Sequence, residues 1–108
     1  MTSTINPNAA DNDGQTPIHV AAGHGHLEIV RLLMTLTTNP NPNVADNFGW
    51  TPIHVAAYHG HLAIVRLLMK TTNYPNAPDN SGMTPENYAS ERGHHDIVRL
   101  LWIDYPLL

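Results

Sequence analysis

The sequence predicts an all-α solenoid of three helix–turn–helix units carrying β-turn finger loops. Three observations predict it. The segment TPIHVAAGHGHLEIVRLLM at Thr16 returns as TPIHVAAYHGHLAIVRLLM at Thr51 and, more diverged, as TPENYASERGHHDIVRLLW at Thr84, with spacings of 35 and 33 residues. Each copy follows a D-x-x-G-x turn: DNDGQ from Asp11, DNFGW from Asp46 and DNSGM from Asp79. Within each copy the apolar residues recur at helical spacing. A fixed period of this length is the mark of stacked repeats.

Each element has a local cause. Asp and Gly at the turn positions favour a tight reversal, because Gly14, Gly49 and Gly82 can take positive φ without strain. Thr16, Thr51 and Thr84 suit helix N-caps. Pro17, Pro52 and Pro85 then occupy the first helical position, where a missing N–H is harmless. His19 and His54 fall at the third position, within reach of the cap. First helices are predicted over 17–24, 52–59 and 85–92, stopped by Gly25, Gly60 and Gly93. Second helices are predicted over 27–35, 62–70 and 95–103. Leu27, Ile29, Val30 and Leu33 form the apolar face of the first of these, widened by Leu32. Helices this short are unstable alone, so neighbouring units must bury each other's faces.

These residues closely resemble the ankyrin-repeat family, whose pattern reads D-x-x-G-x-T-P-L-H-x-A-A-x-x-G-H-x-x-I-V-x-x-L-L. The resemblance runs from about Asn8 to Trp102, with Ile18 and Ile53 in place of the usual Leu. It implies paired antiparallel helices with projecting fingers. It also implies a module that binds a protein or peptide on its concave face, made of fingers and first helices. Carried onto this chain, the partner-binding positions are Asp13, Gln15, His24, Phe48, Trp50, Tyr58, His59, Ser81, Met83, Glu91 and Arg92. The variable positions Asn12, Gly23, Asn47 and Asn80 lie among them. Phe48, Trp50 and Tyr58 would form a central aromatic patch between polar flanks, the anatomy of an interface. The residues implied to be structural are Thr16, Pro17, His19, Gly25, His26, Thr51, Pro52, His54, Gly60, His61, Thr84, Pro85, Gly93 and His94.

The expected division is a segment at 1–10 like the finger of a preceding repeat, then repeats at 11–45, 46–78 and 79–103, then a tail at 104–108. Repeat three reads as a C-terminal cap. Glu86, Asn87, Tyr88, Ser90, Glu91, Arg92, His95 and Asp96 replace mostly apolar or small residues, giving the polar outer face a last unit needs. Trp102, Tyr105, Leu107 and Leu108 make an apolar tail expected to fold back on the last helix. Repeat one keeps an internal character, so the chain reads as part of a longer array or as one lacking an N-terminal cap. Ile18, Val20 and Leu27 are then expected to be partly exposed, or covered by residues 1–10 or by another copy of the chain, and self-association through that end is a further expectation. The two extra residues between repeats one and two fall in N-P-N-P-N at 39–43, where an extended loop is expected.

Composition narrows the function. The chain has 108 residues, suiting one small domain, and no cysteine, which excludes disulfides and thiolate metal sites. A net charge of −4 disfavours nucleic acid. No apolar run is long enough to span a membrane, and an intracellular, cytoplasmic location is expected. His24/His26 and His59/His61 lie two apart across a glycine and lack the i, i+4 spacing of a helical metal pair. No metal or other cofactor is expected. Arg31, Arg66 and Arg99 form a solvated ladder, with Glu28 and Asp96 placed to pair with Arg31 and Arg99. No nucleophile elbow or phosphate loop is present, and Asp11, Asp46 and Asp79 recur as turn residues, so no catalytic residues and no enzyme activity are expected. The competing reading is a structural spacer in a long array, supported by the near-identity of repeats one and two. A metal- or pH-responsive histidine protein ranks last.

Overall fold

The computed structural model describes residues 9–36, 42–72 and 74–103. The expectations placed on residues 1–8, on 37–41 of the extended loop and on the tail at 104–108 lie outside the described residues. Six helices follow one another: α1 (Pro17–Gly23), α2 (Leu27–Leu36), α3 (Pro52–His59), α4 (Leu62–Met69), α5 (Pro85–Glu91) and α6 (His95–Ile103). The three helix–turn–helix units are those expected, with boundaries displaced by a residue at most.

Local chemistry sets each start. In repeat two the Thr51 N–H donates to His54 Nδ1 at 3.1 Å while the His54 N–H donates to Thr51 Oγ1 at 3.4 Å. In repeat three Asn87 replaces the histidine and closes the same reciprocal pair with Thr84, at 2.9 and 3.1 Å. This is a capping box with histidine or asparagine in the place of the usual glutamate. In repeat one the Thr16 N–H donates to His19 Nδ1 at 3.0 Å. Each first helix ends on a left-handed glycine. At Gly60 (φ 81°) two constraints coincide, because a Cβ there would lie 2.7 Å from the His94 ring of the next unit. Only glycine satisfies both the backbone angle and the close approach.

The first helices stack as α1, α3 and α5, and the second helices pack behind them as α2, α4 and α6. The core runs along the interfaces: Ala21, Ala22 and Val30, then Ile53, Ala56, Ile64, Val65 and Leu68, then Ala89, Ile97 and Leu101. Repeat one departs from the expectation in one respect. Ile18 is buried by its neighbours across the first interface, whereas Val20, Ile29 and Leu32 are exposed. Trp102 is also exposed.

Adjacent units are joined by a repeated set of hydrogen bonds. The Asn47 N–H donates to Asp13 O at 2.9 Å, and the Asn80 N–H donates to Phe48 O at 3.0 Å. Asn47 Nδ2 donates to Asn12 O at 3.0 Å, and Asn80 Nδ2 to Asn47 O at 3.1 Å. His61 Nε2 reaches back to Gly23 O at 3.0 Å and His94 Nε2 to Tyr58 O at 3.1 Å. His19 and His54 reach forward to Trp50 O and Met83 O, at 2.8 and 3.2 Å. Their Nδ1 atoms already accept from the cap, so Nε2 carries the proton. His26 occupies the position of His61 and His94 but forms no such bridge among the described residues. Its ring is exposed and stacks on His24 at 5.9 Å, because the described residues place no helix-end carbonyl in front of it.

Among the arginines, Glu28 pairs with Arg31 at 3.7 Å, both exposed. The pairing expected between Asp96 and Arg99 is not formed; Asp96 Oδ1 instead accepts the Ile97 N–H at 2.8 Å. At the start of a helix, orphan N–H groups compete for a short carboxylate. No helix among the described residues is long and apolar enough to cross a membrane.

Candidate functional site

The fingers are built on their aspartates. Asp46 Oδ1 accepts the Phe48 and Trp50 N–H groups, both at 2.9 Å, and Asp79 Oδ1 accepts those of Ser81 and Met83 at 2.8 and 2.9 Å. Asp11 does the same for Asp13 and Gln15. Asp46 and Asp79 are buried while Asp11 is exposed. These carboxylates thus fix the height and direction of the residues at the finger tips.

The fingers then divide the aromatic residues. Phe48 projects, with 63% of its surface exposed. Trp50 turns inward and is half-buried, with its ring centroid 4.7 Å from Tyr88 and 5.3 Å from Tyr58. Tyr58 stands 5.9 Å from Tyr88, and the Arg92 guanidinium lies 4.1 Å over the Tyr58 ring. Trp50 therefore packs across the boundary between repeats two and three. Gln15 and Met83, at the equivalent finger positions, are half-buried, while Asp13, Ser81, Glu91 and Arg92 are exposed. His24 and His59 stand exposed farther along the same side, lining a shallow depression with Gln15, Gly23 and Val55.

Tyr88 was visible in the sequence only as a departure from Val20 and Val55. Its hydroxyl donates a hydrogen bond to Asp79 Oδ2. Burial disfavours the charge on Asp79, but the bonds from Tyr88, Met83 and Ser81 outweigh it and hold the carboxyl below its ordinary range. Burial, followed by the bond to Asp79, pushes the Tyr88 hydroxyl up to about 12. His59 is lowered by burial and then by the charges of His61, Arg92, His24 and His94. No group of three or more metal-binding side chains converges among the described residues.

A family profile described as "Ankyrin repeats (3 copies)" matches residues 34–106 of this chain. The chain belongs to the ankyrin-repeat family. A second profile, "Ankyrin repeats (many copies)", matches residues 2–52. The chain is also similar to the ankyrin repeat-containing protein P1E11.10 of Schizosaccharomyces pombe, at 47% identity over 34 residues. That match covers 32% of this chain and 16% of the yeast protein, about one repeat's length. Ankyrin repeats are in general protein-interaction modules.

Proposed function

We propose that this chain binds a protein or peptide partner through the fingers and first helices, centred on repeats two and three. Phe48 carries the reading. A large aromatic at the tip of an ordered finger contributes nothing to the core, and such residues are enriched at binding hot spots. Around it Asp13, Gln15, Ser81 and Met83 supply adjoining finger contacts, and His24, Tyr58, His59, Glu91 and Arg92 continue the surface along the helices. Trp50 acts from beneath, holding the second finger against the third. The test is affinity capture with the wild-type chain, Phe48→Ala and a second-helix control, Leu32→Ala. Loss of a captured protein with Phe48→Ala alone, at unchanged melting temperature, supports the reading. Equal capture by all three favours a spacer in a longer array.

A second surface has its own observation. Val20 and Ile29 are exposed on the outer side of repeat one, beside a shallow hollow of about 550 Å³ also lined by His26 and Leu33. Self-association through this side would appear as concentration-dependent light scattering that Ile29→Lys abolishes. Scattering independent of concentration rejects it.

A further inference from the structure

An open groove of about 400 Å³ lies between the second and third fingers. Its walls include Phe48, Trp50 and Tyr88, and both finger carboxylates, Asp46 and Asp79, line it. The two carboxylates are equivalent in sequence but not in bonding. Asp79 Oδ2 accepts the Tyr88 hydroxyl. The position of Tyr88 in repeat two belongs to Val55, which has nothing to donate. Among the described residues, Asp46 Oδ2 consequently accepts one hydrogen bond, from Gln15 Nε2 at the limiting distance of 3.5 Å. Yet Asp46 is only 8% exposed. A carboxylate oxygen short of donors has acceptor capacity left for an incoming one.

The aromatic cluster beside it already holds one cation. Arg92 lies flat enough over Tyr58 to bring its guanidinium carbon 4.1 Å from the ring centroid. The exposed ring of Phe48 offers the same attraction in a groove that Asp46 also lines, on a chain of net charge −4. We propose that this groove receives an arginine side chain from a basic peptide segment of the partner, stacked on Phe48 beside Trp50 and hydrogen-bonded to Asp46 Oδ2. Arginine fits better than lysine, because a planar fork stacks on an aromatic face and meets a carboxylate in one plane. The proposal rests on the partner-binding reading above and specifies its chemistry.

Three capped pentapeptides test it on the whole chain: Gly-Gly-Arg-Gly-Gly, the same peptide with citrulline at its centre, and the same with lysine. Amide and indole NMR shifts are followed to about 10 mM, since a single side chain binds in the millimolar range. The arginine peptide should give saturable shifts at Asp46, Phe48, the Trp50 indole and Tyr88. Citrulline keeps the shape without the charge and should bind more weakly by about fivefold. Asp46→Asn, which retains an oxygen for the two turn amides, should weaken arginine binding by at least as much. Should that variant melt early, Phe48→Ala provides the same reading without touching a buried group. Absent shifts, or equal binding of citrulline, overturn the proposal, and equal binding of lysine overturns the choice of arginine. Failure here while Phe48→Ala still abolishes partner capture removes the cation alone. Arginine binding with capture unaffected supports the pocket and rejects the partner-binding reading.

Discussion

Repeats one and two carry nearly the same residues and bury them very differently. Their shared segments differ only at Gly23/Tyr58 and Glu28/Ala63. Yet Val20 is 45% exposed where Val55 is 7%, and Ile29 is 47% exposed where Ile64 is 1%. The difference is the neighbour. Val55 and Ile64 face α1 and α2 across a formed interface, while Val20 and Ile29 face outward. In a solenoid a residue's contribution is set by the unit stacked on it, so one amino acid in one local context acts as core in one copy and surface in the next.

Paired truncations give the largest test of that comparison. Ile64→Ala should cost about 2–5 kcal/mol in urea unfolding, and Ile29→Ala less than about 1 kcal/mol. Similar losses at both sites would mean that the outer side of repeat one is covered in solution. The next effect concerns the two neighbouring aromatics of the second finger. Trp50→Ala should cost about 2 kcal/mol, because it opens the stack with Tyr58 and Tyr88. Phe48→Ala should stay within about 0.5 kcal/mol. A neutral Trp50→Ala with a destabilising Phe48→Ala would reverse their assigned roles.

A smaller effect comes from pH. Burial is the chief cause lowering the pKa of His54 from its ordinary 6.5. Between the folded value and 6.5 the unfolded chain binds more protons at this site, so stability rises with pH. The contribution is complete above about pH 6.5 and is lost as pH falls below it. His54→Asn keeps the cap in the manner of Asn87 and should flatten this slope in thermal melts between about pH 5 and 7. An unchanged slope would place the titration elsewhere. Hydrogen exchange completes the comparison, with amides of α1 and α2 exchanging faster than those of α3 and α4. The opposite order would mean that the exposed side of repeat one is not a weak end.

The helices were legible because their signals are local. Threonine, proline and the closing glycine lie within one unit, and the boundaries of the first helices follow from capping. The finger turns were legible for the same reason. What needed the structure was everything decided across a boundary. The sequence places Trp50 on a finger, but Tyr88, 38 residues later, turns it inward. It gives His26 the same setting as His61, but only the fold separates a bridging histidine from an idle one. Nor does spacing reveal that Asp96 serves the start of α6 rather than Arg99. The candidate surface was therefore readable as a set of positions, while the division between projecting Phe48 and packed Trp50 was not.

The bonds between units also give the molecule a direction. Each unit offers one side richer in donors, from the asparagine amides and the G-H histidine, and an opposite side richer in acceptor carbonyls, with the capping histidine donating in the reverse sense. Two donor-rich sides cannot satisfy one another, so a twofold axis through either end is disfavoured. Copies joined end to end by this chemistry would meet through unlike surfaces, and a contact of that kind does not close on itself. Its product would be a polar row whose length follows concentration, not a dimer of fixed size.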